Sequence, residues 1–236
     1  MSIAQRSDAR VLQAVTHYVK AGLQSVDAAE IIRWAADSFA GRLVATQAMA
    51  NTTISHLIAL VAPEIPVVFL ATGYPFLEKL QTQDDLVACT NIHLLSITPT
   101  MSVKEQDDIY GENLLDRDPD LCCKLRKVVP MEESLVGHEA WITGLRVAAA
   151  PHREDVPVVE YNEKRGVLKI SPLLNWSDED LLRYTTENDL PVNPFMYQGY
   201  PSIRCAPCTA RVDAGMTRAQ VTGRAKTRTN EVCIHE

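Results

Sequence analysis

The apolar positions of residues 1–40 repeat at the spacing of an α-helix. Apolar side chains recur along residues 8–23, and a second amphipathic stretch follows Asp27, which can serve as its N-cap. Trp34 and Phe39 belong to the apolar face of this second stretch, so we expect them in the core. We therefore predict that residues 1–40 form helices that pack on the main domain.

From residue 41 onwards, short apolar runs alternate with helical stretches. The runs at residues 42–46, 66–71 and 91–97 have the length of buried strands, and a helical pattern follows each of the first two. Strands and helices in alternation are typical of a parallel sheet whose two faces are covered by helices. The predicted fold class is therefore α/β, with a doubly wound, mostly parallel sheet and helices on both faces.

Three places further along the chain carry the residues that begin helices. Ser102 and Ser177 each precede an acidic residue by three positions, which is the capping-box pattern. Asp120 is the predicted N-cap of a helix that carries Cys122 and Cys123. We therefore expect a helix to start at each of these places.

The remaining apolar runs complete the predicted sheet. Residues 139–146 are a predicted fourth strand, and residues 156–161 and 167–170 are a predicted hairpin or pair of edge strands. We find no internal repeat and no linker that would divide the chain. We therefore predict one α/β domain over residues 41–208, followed by a flexible basic tail over residues 209–236.

The composition is that of an ordinary globular protein. Hydrophobic residues make up 46% of the chain and charged residues 22%. No apolar run approaches the roughly 20 residues that span a bilayer, and we see no secretory leader. We therefore expect a cytoplasmic protein with no membrane partner.

The charge is distributed unevenly. The formal net charge of −7 argues against general nucleic-acid binding. Between Arg204 and Arg228, however, six basic residues face a single acid, Asp213. A basic tail on an acidic protein is compatible with an anionic small substrate or an acidic partner, and equally with a solvated, flexible terminus.

The predicted sheet indicates where a ligand would bind. Ligands of open parallel sheets lie beyond the carboxyl ends of the strands. The loops that fall there cover residues 46–53, 72–74 and 146–153. The first loop has small residues before a helix, so its backbone N–H groups can bind phosphate or sulfate, although it contains no glycine and is no Walker sequence.

Four cysteines occur in two tight pairs, Cys122-Cys123 and Cys205-x-x-Cys208. Zinc and iron–sulfur clusters both accept four thiolates. Adjacent helical residues point about 100° apart, which suits two irons of a cluster better than one tetrahedral ion. We therefore favour a [4Fe–4S] cluster over zinc, and zinc over a disulfide. Cys89, which precedes the third strand, is expected to be a buried structural thiol.

Two further side chains are candidates for chemistry near such a centre. Lys127, one helical turn beyond Cys123, can place a cation beside the cluster and a bound anion, or it can be an ordinary solvated lysine. Cys233, close to His235 and downstream of several arginines, can act as a nucleophile with a lowered pKa, or it can be an idle surface thiol.

Three segments together resemble the sulfonucleotide reductases, the adenylyl-sulfate and phosphoadenylyl-sulfate reductases of sulfate assimilation. They are CCKLRK at residues 122–127, WITGLR at residues 141–146 and GYPSIRCAPCT at residues 199–209. The similarity extends from about residue 41 to the C-terminus. Because both cysteine pairs are present, the chain is similar to the cluster-bearing adenylyl-sulfate branch.

The resemblance implies an adenine-nucleotide α-hydrolase-like fold and a two-step reaction. Cys233 would attack the sulfur of adenylyl sulfate and release AMP, and thioredoxin would reduce the S-sulfocysteine to release sulfite for cysteine biosynthesis. Cys122, Cys123, Cys205 and Cys208 would ligate the [4Fe–4S] cluster, and His235 would neutralise developing charge. The residues expected at the substrate are Thr46, Asn51, Thr52, Thr72, Gly73, Lys127, Arg146 and Arg224.

The chain departs from the family's pattern in its substrate loops and its tail. Asn51 stands at an acidic position of the family, Ala71 at an aspartate, Val147 at an arginine and Arg204 at a glycine. The segment that ends in Cys233 is also altered. Two alternatives therefore stay open: a cluster-bearing paralogue with another substrate, in a specialised sulfur or anion-transfer pathway, and a non-catalytic iron–sulfur sensor or binding module. The sequence also leaves a homo-oligomer open.

Overall fold

The computed structural model of the chain describes residues 7–149, 155–200, 203–209 and 211. Helix α1 is Ala9–Leu23 and helix α2 is Ala28–Ser38. Asp27 caps α2 by accepting a hydrogen bond from the backbone N–H of Ala29 at 2.8 Å. The two predicted N-terminal helices are therefore confirmed, and Phe39 is buried as expected.

Within these described residues, six strands form one sheet in the order β3-β2-β1-β4-β6-β5. All neighbouring strands are parallel except β5 and β6, which form the predicted antiparallel hairpin. The predicted mostly parallel α/β sheet is therefore confirmed. The strands are β1 Leu43–Gln47, β2 Val67–Leu70, β3 Leu94–Ile97, β4 Ala140–Ile142, β5 Val159–Asn162 and β6 Val167–Ile170.

The helices that connect the strands begin where local capping allows. Both predicted capping boxes, at Ser102 and Ser177, are formed. Asp120 was the wrong choice of N-cap: Asp118 accepts the bond from the N–H of Leu121, and Pro119 takes the first helical position, where its missing N–H is not needed. The helices are α3 Thr53–Val61, α4 Leu77–Cys89, α5 Val103–Tyr110, α6 Leu114–Arg117, α7 Pro119–Cys123, α8 Val129–Ser134 and α9 Asp178–Glu187, with a π-helical turn at Lys124–Val128 and 3₁₀ turns at Pro194–Tyr197 and Ala206–Cys208.

Two further expectations are corrected. The predicted strand over residues 139–146 is regular only over Ala140–Ile142. Thr143 still donates its N–H to the carbonyl of Ile170, after which the chain leaves the sheet while Leu145 and Arg146 remain buried. Cys89, expected to be buried, is exposed at the end of α4.

The side chains of the central strands alternate between two apolar layers. Leu43 and Ala45 of β1 pack with α1, α2 and α3, whereas Val44 and Trp141 pack with α8 on the other face. Burying each large apolar side chain contributes about 1.5–3 kcal/mol. The two layers hold the sheet between helices and so place the carboxyl ends of β1, β2 and β4 side by side. No helix in the described part of the chain is long and apolar enough to cross a bilayer.

Candidate active site

A cavity of about 300 Å³ opens at the carboxyl ends of β1, β2 and β4. Residues from all three predicted loops line it, so the expectation that these loops meet is confirmed. The predicted site residues that line the cavity are Thr46, Asn51, Thr72, Cys122, Cys123, Lys127, Arg146, Cys205 and Cys208. Thr52 and Gly73 are not lining residues, and their contribution is to the shape of the loops.

The loop after β1 is held by buried hydrogen bonds. Thr46 accepts a hydrogen bond at its Oγ1 from Nε1 of Trp141 at 2.9 Å. Gln47 donates from Nε2 to the carbonyl oxygen of Asn51, and Thr52 donates from Oγ1 to the carbonyl of Pro191 at 2.7 Å. The hydroxyl of Thr52 is therefore used to tie the loop to residues 191–193 and is not presented to a ligand.

The loop after β2 brings the C-terminal cysteine pair to the sheet. The backbone N–H of Ala206 donates to the carbonyl of Tyr74 at 2.9 Å, and Thr72 Oγ1 lies 3.1 Å from Cys205 Sγ. Gly73 has a φ of +88°, and a Cβ there would lie 3.0 Å from Val103 Cγ2 and 3.5 Å from Arg126 Nη1. Glycine is required because of this conformation and the close approach of Val103.

Arg126 is a buried cation beside the cavity for which the sequence suggested no role. Its Nε donates to Gln106 Oε1 at 2.8 Å and its Nη1 to the carbonyl of Met101 at 2.6 Å. The guanidinium also lies over the ring of Tyr74, 5.8 Å from the centroid. Arg126 belongs to the π-helical turn that follows Cys123, and such turns occur frequently at functional sites. The only sequence signal for a role of Arg126 was its position in the CCKLRK segment.

The thiols of the two cysteine pairs influence each other. The S–H of Cys208 donates to Cys205, which is the main reason that the pKa of Cys205 is lowered to about 6 and that of Cys208 is raised. Lys127 and Lys79 lower the pKa of Cys205 further. Burial, and then the charge of Cys205, raise the pKa of the Cys122 thiol. Cys122, Cys205 and Cys208 are free thiols.

The cysteines fit a thiolate-bound cluster in kind and location. Both pairs line the same cavity, and Arg126 has a buried Nη2 with no hydrogen-bond partner within the described ranges, which an anionic group beside Cys122 would satisfy. The thiols are not arranged as a metal site: among the described residues no three His, Cys, Asp or Glu side chains are grouped to hold an ion. Cys123 is disulfide-bonded, so this bond has to be reduced before its thiolate can bind iron.

Apart from its cysteines, the charged side chains that line the cavity in the described part of the chain are all basic. Of the described residues that line it, five are basic and none is acidic. Low-dielectric walls concentrate such a field, which favours an anionic ligand. The sequence led us to expect Lys127 and Arg146 there, together with Arg224, which lies outside the described residues. Lys79 belongs to no recognisable pattern, and Arg204, directly before Cys205, was noted only as a departure from the family's pattern. The basic residues are Lys79, Arg126, Lys127, Arg146 and Arg204.

Arg146 approaches the cavity from the segment after β4. Only 4% of its surface is exposed. Its Nη2 donates to Asp178 Oδ1 at 2.8 Å, and its Nη1 donates to the carbonyl of Trp176 at 3.3 Å. The guanidinium is thus anchored on the start of α9, which fixes where its remaining N–H groups can meet a ligand.

Three predicted site residues lie outside the residues that the structure describes. They are Cys233, His235 and Arg224. Their roles, like those of the other site residues, stay predictions.

The chain shares a domain, relatives and a fold with known proteins. Residues 45–211 match the family model of the phosphoadenosine phosphosulfate reductase domain. The chain is 44% identical to an adenosine 5′-phosphosulfate reductase of Streptomyces coelicolor over 92% of both chains, and 42% identical to one of Mycolicibacterium smegmatis over 81% of both. A crystal structure of phosphoadenylyl-sulfate reductase from Candida auris, in complex with phosphate, superposes with a TM-score of 0.74 at 28% identity and covers 84% of this chain and 97% of that one. The chain therefore belongs to the phosphoadenosine phosphosulfate reductase family.

Proposed function

We propose that this protein reduces adenosine 5′-phosphosulfate to sulfite and AMP in sulfate assimilation. The observation that carries the proposal is a cavity at the strand ends lined by basic residues and by both cysteine pairs, with no acidic residue among its described walls. Such a cavity suits an anionic nucleotide whose sulfur is the reacting atom. The curated relatives at 42–44% identity bear the name of this activity.

In the proposed first step, the thiolate of Cys233 attacks the sulfur of adenylyl sulfate. A sulfur–sulfur bond forms as the bond between that sulfur and the bridging oxygen breaks, and the electron pair leaves with AMP. The cavity's cations offset the negative charge that collects on the sulfate and phosphate oxygens. Lys127 and Arg146 are the residues we place nearest those oxygens, with Arg224 and His235 contributing from the tail.

In the second step, thioredoxin supplies two electrons. One of its thiolates attacks Sγ of the S-sulfocysteine and displaces sulfite, and its second thiol resolves the mixed disulfide. Cys233 returns to the thiol form and thioredoxin is left oxidised. We place this exchange in the cytoplasm, where thiols are kept reduced.

Cys122, Cys123, Cys205 and Cys208 would hold a [4Fe–4S] cluster in this proposal. When bound, the cluster would tune the electrostatics of the anion site and would not pass electrons to the substrate. The chain's own residues prepare that site: Thr72 lies against Cys205, and the guanidinium of Arg126 lies over the ring of Tyr74 with its Nη2 unpaired among the described residues.

The deciding experiment is a sulfite assay on the anaerobically purified full chain with adenylyl sulfate and thioredoxin. We expect thioredoxin-dependent sulfite release, a sulfonate adduct on Cys233 when thioredoxin is withheld, and loss of both in Cys233→Ser. Cys89→Ser, which alters an exposed thiol outside the cavity, is the matched control and should keep both. A wild type that forms neither sulfite nor adduct contradicts the proposal.

A second candidate is a cluster-bearing paralogue that acts on another activated anion. The observation that favours it is that Asn51 and Ala71, both departures from the family's acidic positions, line the cavity itself. Each lost charge-assisted hydrogen bond weakens binding by about 1.5–3 kcal/mol. Binding of adenylyl sulfate that is no tighter than binding of AMP, together with an intact iron centre, would support this candidate.

A further inference from the structure

Lys79 occupies a position in α4 where a positively charged side chain does not stabilise the helix. It is the third residue of α4, whose first turn also holds Glu78. The positive end of the helix dipole disfavours a cation there. Phe76, at the N-cap position, has no side chain that could accept a hydrogen bond from the first turn. The charge of Lys79 and the N–H groups without a side-chain cap both favour an anion at this end of α4, and Glu78 offsets part of that effect.

The side chain of Lys79 belongs to the cavity. It is one of the five basic residues among the described lining of the cavity, and the cysteines line the same cavity. The loop that precedes α4 contacts this cysteine end, with Thr72 Oγ1 3.1 Å from Cys205 Sγ. Lys127 lines the cavity from the π-helical turn that follows α7. Two lysines from different connections between strands therefore line the cavity together with the cysteines, whereas Arg146 is anchored at the α9 end.

We propose that Lys79 is a substrate-specificity residue whose ammonium group binds the sulfo group of adenylyl sulfate together with Lys127. This inference rests on the proposed function. A lysine is a compact charge with three donors, and the sulfo group presents three acceptor oxygens. AMP has no sulfo group for Lys79 to bind. The residue distinguishes the substrate from the product and ceases to hold the nucleotide once sulfur has been transferred.

Lys79→Gln tests the charge with little disturbance of the helix, because glutamine is a good helix former. Lys79→Arg restores the charge. Lys104→Gln is the matched control, since Lys104 also lies in the first turn of a helix, α5, but is exposed and pairs only with Asp108 on the same helix among the described residues.

The measurement is the dissociation constant of adenylyl sulfate and of AMP for each full-length, anaerobically purified variant, together with kcat and KM. In Lys79→Gln we expect adenylyl sulfate to bind about tenfold more weakly, because one charge-assisted hydrogen bond to the sulfo group is lost. Its affinity for AMP should stay within about twofold, and Lys79→Arg should recover most of the difference. Lys104→Gln should match the wild type in all four quantities.

Two results would overturn the inference while leaving the proposed function intact: an unchanged affinity for adenylyl sulfate in Lys79→Gln, or an equal loss for adenylyl sulfate and AMP in an active enzyme. If the wild type releases no sulfite, the proposed function fails by itself. Binding of inorganic sulfate, followed as thermal stabilisation, then decides the role of Lys79. Stabilisation that disappears in Lys79→Gln supports the inference, and stabilisation that persists rejects it.

Discussion

The guanidinium of Arg146 donates to the carboxylate of Asp178 at 2.8 Å, which joins the segment after β4 to the first turn of α9. The arginine side chain is 5% exposed, whereas the aspartate side chain is 65% exposed. The pair therefore lies at the cavity wall, with the cation inside and the anion at the surface. Asp178 orients Arg146 and offsets part of its charge in the absence of an anionic ligand.

Asp178→Asn should lower the free energy of unfolding by about 1 kcal/mol. This is less than the roughly 1.5–3 kcal/mol typical of a hydrogen bond to a charged group, because water screens the exposed aspartate. Urea unfolding measures the change. Glu179→Gln is the control: it removes the same charge from the same helical turn, and Glu179 is exposed. Equal losses in the two variants would mean that only the helix dipole is affected and that the contact with Arg146 adds nothing.

A second prediction concerns the stability contributed by the buried hydrogen bond from Trp141 to Thr46. Thr46→Val leaves the indole N–H without its acceptor and should destabilise the fold by about 1–3 kcal/mol. Once Trp141→Phe has removed the donor, the same valine substitution should be milder. A double-mutant cycle in urea measures this coupling. Additive effects of the two substitutions would show that the hydrogen bond contributes no coupling energy.

The proposed iron–sulfur centre predicts a difference between two cysteines of the same chain. The wild type, purified anaerobically, should show broad visible absorbance and about four irons per chain. Cys122→Ser should lose both, because Cys122 lines the cavity, whereas Cys89→Ser should keep both. Iron content and visible absorbance show which variants hold the cluster, without any assay of activity. A colourless wild type with one zinc would remove the cluster from the proposal.

The glycine in the loop after β2 should tolerate no side chain. Gly73→Ala adds a Cβ at 3.0 Å from Val103 Cγ2 in a backbone of φ +88°, so both a clash and strain are expected. Gly166, at φ +65°, has no atom of the described residues closer than Tyr161 Oη at 3.9 Å to an added Cβ, so alanine there strains the backbone without that clash. Gly166→Ala should lower the unfolding free energy by about 1–2 kcal/mol and Gly73→Ala by more. Thermal unfolding ranks them, and the opposite ranking would contradict the close packing at Gly73.

His56 predicts how stability responds to mild acid. Burial lowers the pKa of His56 from 6.5, and its Nδ1 lies 2.9 Å from the hydroxyl of Tyr184. Below pH 6.5 the unfolded chain therefore takes up a proton that the folded chain resists, so the free energy of unfolding should fall as the pH drops through this range. His56→Gln should flatten this dependence. Denaturant unfolding at several pH values tests this, and equal slopes for His56→Gln and the wild type would contradict it.

Parts of the fold could be predicted because their causes are local. The capping boxes at Ser102 and Ser177 involve residues three positions apart, and the buried strands show as short apolar runs. Two predictions failed for different reasons. Asp118, not Asp120, caps α7 because Pro119 fits the first helical position, which is a local effect of adjacent residues. Residues 144–146 leave the sheet and line the cavity, which depends on packing between distant parts of the chain.

The sequence by itself determined the alternation of strands and helices, the two cysteine pairs and the resemblance to a reductase family. Each of these features depends on residues that lie close together in the sequence. Only the tertiary structure decided which charges share the site. Lys79, Arg126 and Arg204 come from separate connections, and their meeting depends on the order in which parallel strands pair. No local pattern encodes that order, since it follows from the packing of both apolar layers against the whole sheet.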